Sequence, residues 1–214
     1  MLEASQPEGV VQMKWVTFYT KGTPYKHDSH RLESSMRRLG LKLSAYGVPD
    51  LGSWQKNAQY KAEFIRDIIK KRTQPTVWID ADAVVWQTPV MLQRPPIEKP
   101  DFMAAWTATN RLTAINSAVM YWGGTDKARE IVDRWVDRVR ENPKARHADQ
   151  TPLDQVIKEV MDEGSAKTYK LPPTYCYIFD KTRRSPWSRD IDSDEIVIEQ
   201  FQASRWYRHW RAES

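Results

Sequence analysis

Hydrophobic positions along this chain switch repeatedly between a period of two and a period near four. Lys14–Thr20 (KWVTFYT) is dense in β-branched and aromatic residues and reads as a strand. Gly22, Pro24 and His27-Asp28 mark a loop after it. Residues 29–39 then place Leu32, Met36 and Leu39 on one helical face. Residues 41–46 alternate as a second strand, and residues 48–53 read as loop. Residues 55–72 give the clearest helix, with Tyr60, Phe64, Ile65, Ile68 and Ile69 recurring at helical spacing before Pro75. Thr76–Ile79 (TVWI) is a short apolar run, as a buried parallel strand should be, and it leads straight into Asp80.

Further along, residues 102–107 and 118–121 read as strands. Residues 125–140 and 149–161 read as amphipathic helices, with Thr125 or Asp126 placed to cap the first. Leu171-Pro172-Pro173 breaks the chain. A short strand at 196–198 interrupts an irregular tail that begins at Lys181. The alternation of strands and helices predicts one α/β domain over residues 13–214, behind a flexible stretch at 1–12. Its mixed, mostly parallel sheet would be flanked by helices. Ligands of such sheets gather at the carboxyl ends of the strands, so residues 20–25 and 80–82 should share one rim.

Composition narrows the classes without choosing among them. Hydrophobic residues make up 40% of the chain, enough for a core, and 33 basic against 28 acidic side chains leave a net charge of +5. That mild excess suits anionic partners such as nucleotide diphosphates or nucleic acid. Cys176 is the sole cysteine, so no intrachain disulfide can form, which fits a reducing cytoplasm. The N-terminal sequence lacks a secretory pattern, and no stretch approaches the ~18 apolar residues of a membrane span. The expectation is a cytoplasmic protein without a membrane partner.

The carboxylate pair Asp80-Ala81-Asp82 carries the most chemistry. Two acids at the end of a buried strand are costly unless something positive meets them. In an extended segment, residues i and i+2 point the same way, so both can converge on one hard divalent cation such as Mg²⁺ or Mn²⁺. The plainer alternative is a turn in which both aspartates cap loop backbone. No Gly-rich phosphate loop of the P-loop type occurs. No second acidic cluster is placed to build a two-metal nuclease or phosphotransferase site.

Several segments together resemble the GT-A-fold nucleotide-diphospho-sugar transferases. They are Lys61-Ala62-Glu63-Phe64-Ile65, then residues 75–83 with the D-x-D at their end, then Pro89. Ile115-Asn116-Ser117-Ala118-Val119-Met120 resembles the family's "N-S/T-G-hydrophobic" strand. Asp149-Gln150 resembles its "D-Q-x-x-hydrophobic" helix start, and residues 200–205 resemble its C-terminal "H-x-x-x-S-R/K" segment. The likeness spans roughly residues 14–208.

The resemblance implies a transferase using a nucleotide-sugar donor, UDP-sugar favoured, with Mn²⁺ or Mg²⁺. Asp80 and Asp82 would hold the metal, and Asp82 would act in catalysis through it. Thr20 and Tyr25 would hold base and ribose, unless residues 20–24 are only turn chemistry. Lys61 would reach a phosphate, unless it is an ordinary solvated helix lysine. Ser204 and Arg205 would meet the diphosphate. Asn116, Ser117 and Gln150 would line the donor sugar. Asp149 would be the catalytic carboxylate, unless it merely caps its helix. The chain departs from the family where a metal-binding histidine is usual, with Gln200 and Gln202 standing there. Either a Gln oxygen, Gln202 as the candidate, replaces the imidazole, or Asp82 and the phosphates hold the metal alone.

Residues 181–189 contain no acid, and residues 204–211 interleave cations with aromatics. Arg183, Arg184, Trp187, Trp206 and Arg208 therefore suit a phosphate backbone with base stacking. The acceptor they suggest is a hydroxymethylated pyrimidine in DNA, as a bacteriophage decorating its own genome would need. A glycan or protein acceptor is the alternative within the same class. A nucleic-acid-binding module without catalysis is the alternative outside it.

Overall fold

The computed structural model describes residues 13–108, 113–145, 148–178 and 191–207. Six strands form one sheet in the order β2-β1-β3-β6-β5-β7. They are β1 (Lys14–Thr20), β2 (Leu43–Val48), β3 (Thr76–Ile79), β5 (Phe102–Ala108), β6 (Thr113–Trp122) and β7 (Thr168–Leu171). Strand β1 is parallel to both β2 and β3, β6 runs antiparallel to β3 and β5, and β7 is parallel to β5. Only β6 is reversed, so the expected mixed, mostly parallel sheet is what forms. Two three-residue strands, β4 (Ala83–Val85) and β8 (Ile198–Gln200), pair antiparallel as a separate ribbon.

The pleat sends alternate residues of the central strands into two cores. Trp78, Met120 and Trp122 face one layer with Ala62, Ile65 and Ile69 of α2 (Trp54–Ile69). Residues of α4 (Asp126–Glu141) and α5 (Gln150–Asp162) complete that layer. Val77, Ile79, Val119 and Tyr121 face the opposite layer with Leu32 and Met36 of α1 (Tyr25–Arg38). There β4, β8 and Leu92 of the short helix α3 (Val90–Gln93) close the face. Among the described residues no helix is long and apolar enough to cross a membrane.

Local chemistry explains where the elements depart from the sequence pattern. Helix α1 starts at Tyr25, not at residue 29: Pro24 holds φ at −59°, already helical, and Asp28 sits in the acid-favouring first turn. Residues 27–28 are therefore helix rather than loop. At its other end Gly40 has φ +71°, while Leu41 N–H bonds Met36 O and Gly40 N–H bonds Arg37 O. This Schellman closure consumes Leu41, so β2 begins two residues later than expected. Thr125 caps α4 through Ala128 N–H, as expected. Strand β6 is longer than the apolar run at 118–121 because it continues through the polar pair Asn116-Ser117. The last strand falls at 198–200 rather than 196–198.

Gly124 packs against the loop before β3 so closely that a Cβ there would collide with the Thr73 carbonyl oxygen and carbon. Backbone cannot yield as a flexible side chain can. Gly124→Ala is expected to lower stability by about 1–3 kcal/mol through overpacking. A urea midpoint unchanged from the parent would contradict this packing.

Candidate active site

The acids lie where the topology predicted, at the carboxyl end of β3. Asp80 N–H bonds Ala118 O at 2.8 Å, extending the ladder to β6 by one residue. Ala83 N–H then returns to Asp80 O at 3.1 Å, so residues 80–83 form a turn. The extended-backbone argument for convergence is thereby corrected. The two carboxylates still feel one another, but a tight turn brings them together, followed by the β4–β8 ribbon.

Lys61, on α2, sits at the centre of this site and is 7% exposed. Its Nζ lies 2.9 Å from Asp80 Oδ1 and 2.8 Å from Asp149 Oδ2. It also donates to Ser117 O at 3.4 Å. Burial works against the ammonium form, but Asp149 and then Asp80 outweigh it and hold Lys61 above the ordinary lysine range. An ammonium has three donors, and all three have acceptors here. Lys61 is thus not a solvated helix lysine.

The carboxylates are aimed by their remaining partners. Trp78 Nε1 donates to Asp80 Oδ1 at 2.7 Å. Ser117 Oγ donates to Asp149 Oδ2 at 2.8 Å, and Trp135 Nε1 donates to the Asp149 carbonyl at 2.9 Å. Asp149 occupies the N-cap position of α5, yet its side chain makes no capping bond, so the capping alternative is set aside. Asn116 and Ser117 come from an irregular stretch of β6. Ala104 pairs with Met120 and Trp106 with Ile115, which leaves residues 116–119 opposite a single residue of β5. Such a bulge re-aims side chains. Here it turns Ser117 to Asp149, while Asn116 Oδ1 accepts Ala118 N–H at 2.9 Å. Gln150, the first residue of α5, is half-buried.

Asp82 is 9% exposed and lies under the C-terminal segment. Its Oδ2 accepts Ala203 N–H at 2.7 Å, and its carbonyl accepts Phe201 N–H at 3.2 Å. Burial first, and then the charge of Asp80, push its carboxyl up to about 6, against the pull of Ala203 N–H. Asp28 adds to the same push. Tyr25 stands beside these acids: its phenol is raised by burial and then by Asp82, Asp80 and Asp28.

The segment that covers Asp82 is fastened to α1. The short helix α6 (Ser204–Tyr207) brings Tyr207 Oη to Asp28 Oδ2 at 2.8 Å and its ring edge-on to Tyr25. The Arg31 guanidinium pairs with Asp28 and lies 4.4 Å from the centre of the Phe201 ring. Ser204 and Arg205 are half-buried here, and Thr20 is buried at the end of β1. Gln202 takes φ +54° in the turn before α6.

Sequence reading missed Trp78, Trp135, Asp28 and Tyr207. Trp78 was findable, since it precedes Asp80 by two residues in a strand. The others depend on tertiary placement. Of the acceptor candidates, Arg183, Arg184, Trp187 and Arg208 lie outside the described residues, as does the side chain of Trp206.

Among the described residues no group of three or more His, Cys, Asp or Glu side chains is placed to hold a metal alone. The arrangement nevertheless fits a hard divalent cation that shares its coordination with phosphates. Asp80 and Asp149 against Lys61 leave a net negative charge, and Asp82 and Asp28 stand nearby. Asp80 Oδ2 takes no hydrogen bond from a described residue.

Residues 49–199 match the family described as nucleotide-diphospho-sugar transferase. That span contains Lys61, Asp80, Asp82, Asn116, Ser117 and Asp149. Among curated proteins none matches the sequence. Solved structures share the fold. A glycosyltransferase involved in glycosylation of the major capsid of PBCV-1 aligns with TM-score 0.60 and 15% identity, covering 94% of this chain and 98% of that one. GlyE of Streptococcus pneumoniae aligns with TM-score 0.59 and 12% identity over 88% of this chain, which spans 55% of that protein. The galactosyltransferase LgtC, solved with donor and acceptor sugar analogues, aligns with TM-score 0.56 and 10% identity, covering 89% and 87%. At such identities the likeness speaks for the GT-A fold, and the match over most of the sequence speaks for descent: this chain belongs to the nucleotide-diphospho-sugar transferase family.

Proposed function

We propose that the chain transfers a sugar from a nucleotide-diphosphate donor, a UDP-sugar, to an acceptor hydroxyl, with Mn²⁺ or Mg²⁺ held by Asp80 and Asp82. The observation that carries this reading is the buried network in which Lys61 ties Asp80, at the carboxyl end of β3, to Asp149 and Ser117. A cation bound there would neutralise charge on the departing diphosphate as a Lewis acid. The chain's own residues do the rest. Lys61 and Trp78 fix Asp80, and Lys61 and Ser117 fix Asp149 by one oxygen, leaving Oδ1 to face a substrate hydroxyl. Tyr25 and Thr20 flank the base and ribose. Asn116 and Gln150 border the sugar, and Ser204 and Arg205 approach the diphosphate from the C-terminal segment.

Thermal unfolding with UDP, with and without Mn²⁺, tests the donor side. Ligand that binds only the native state raises Tm, so UDP should stabilise the protein more when Mn²⁺ is present. Asp82→Ala should abolish the metal-dependent part. A variant that responds like the parent would remove Asp82 from the site.

For the acceptor we propose a hydroxymethylated pyrimidine in DNA, on the strength of the basic and aromatic residues at 181–189 and 204–211. Radiolabelled sugar should pass to hydroxymethylated DNA. Transfer to glycan or protein alone would assign the acceptor to those instead.

A further inference from the structure

Surface cations are treated differently on the two sides of the sheet. On the side of α4 they are neutralised: Lys127, Arg129, Arg134, Arg138 and Arg140 each pair with an acid. On the side of α1 they are not. The exposed positions of α1 all carry polar or charged side chains, Lys26, Arg31, Arg37 and Arg38 among them. Lys26 and Arg38 have no acid partner among the described residues. Arg37 pairs with Glu33, and Arg31 pairs with Asp28, whose carboxylate is withdrawn from solvent. Of the acids of α1, only Glu33 is left near the surface.

Helical spacing arranges these cations as a track. Lys26 and Arg37 stand about three turns apart along one row, and Arg31 and Arg38 about two turns apart along the next, on a helix ~21 Å long. The track starts at the rim that holds the acid pair. Arg31 lies over the Phe201 ring at 4.4 Å, and Phe201 N–H bonds the Asp82 carbonyl. The Phe201 ring still leaves 41% of the residue exposed. Acids bound this surface at the far end of the β4–β8 ribbon, where Glu199 accepts Trp86 Nε1 and the Asp194 carbonyl accepts Gln87 Nε2. A row of cations that ends beside an exposed aromatic ring fits a chain of phosphates whose bases can stack. An anionic membrane would call for an exposed apolar face as well, and α1 shows none.

We propose that the exposed face of α1 binds the phosphodiester backbone of a single nucleic-acid strand, and that Phe201, backed by Arg31, stacks an unpaired base beside Asp82. The proposal deepens the acceptor reading above and rests on it for the strand's place at the catalytic rim. It draws on none of the residues at 181–189 or 204–211. The two parts of the surface do different work. The α1 cations displace counterions from the backbone, so their contribution fades as salt rises. The ring contributes stacking, which carries no charge and keeps its worth in salt.

Fluorescence anisotropy of a labelled oligothymidylate over a salt series separates them. The triple variant Lys26→Gln, Arg37→Gln, Arg38→Gln should flatten the slope of log affinity against log salt by about 2, and weaken binding on the order of 10- to 100-fold at low salt. Phe201→Ala should weaken binding by about fivefold or more and keep the parental slope. Lys127→Gln, Arg138→Gln, Arg140→Gln removes the same charge from α4 and should leave affinity and slope as in the parent. All are surface changes, so urea midpoints should stay close to parental. Equal losses from the α1 and α4 variants would trace binding to net charge and overturn the proposal, as would a parental slope in the α1 variant. Binding to phosphatidylserine vesicles with none to the oligonucleotide would overturn it in favour of a membrane. Failure of the acceptor reading looks different: the oligonucleotide binds through α1, yet no sugar reaches hydroxymethylated DNA. That result keeps the binding face and dismisses the acceptor. Parental sugar transfer to hydroxymethylated DNA by the α1 variant, with parental affinity for it, defeats the proposal alone.

Discussion

Lys61→Met is expected to destabilise the protein by about 3–5 kcal/mol, the usual result of removing one partner from a buried ion pair. For a chain of this length that corresponds to a fall in Tm of roughly 6–20 °C. Methionine keeps the length and the apolar stem of lysine, so packing against Trp78 is largely preserved. What is lost is the charge that compensates Asp80 and Asp149, whose Oδ atoms lie 2.9 and 2.8 Å from Nζ. Lys70→Met is the control. Lys70 pairs with Asp133 at 2.9 Å, but both side chains are nearly half exposed. A surface pair of that kind is worth at most about 1 kcal/mol. The double variant Lys61→Met, Asp149→Asn should recover part of the loss, since one uncompensated charge is then gone. Equal midpoints for the Lys61 and Lys70 variants in urea unfolding would show that the buried triad does not hold this site together.

Much of the fold was legible because two periods dominate the central strands and long helices. TVWI followed by Asp80 gave strand β3 and its position correctly, since an apolar run of that length has little else to become. That Lys61, Asp80, Ser117 and Asp149 meet is legible only through the order of family-like segments. Nothing in local spacing says that residues so far apart in sequence meet. Strands β4, β7 and β8 are short enough that their pairing partners, not their own residues, decide them. The D-x-D geometry was misread for a related reason: a turn closed by Ala83 N–H and Asp80 O is set by the ribbon that follows it. The start of helix α1 is ambiguous in sequence because Pro24 and Asp28 belong to residue types that both break helices and begin them. Gln200 and Gln202 are equivalent by composition. Only burial and backbone conformation separate them.

Asp149→Asn should lower kcat by about 10²–10⁴-fold, the range for loss of a general base, while the UDP- and Mn²⁺-dependent rise in Tm persists. The argument is one of charge at constant shape. Asparagine retains an oxygen that can accept from Ser117 Oγ and Lys61 Nζ, so the network keeps its form. It cannot take a proton from an acceptor hydroxyl. Release of UDP from a UDP-sugar, with water as acceptor, gives a turnover assay that requires no knowledge of the natural acceptor. The split between constants discriminates the roles. If Asp149 moves a proton, kcat and kcat/KM for the donor fall together. If it only holds sugar hydroxyls in ground and transition state alike, KM rises and kcat stays. An asparagine variant with parental kcat would therefore withdraw Asp149 from the chemistry and leave it as a strut for Lys61, with the base to be sought elsewhere, on the acceptor or on the leaving phosphate.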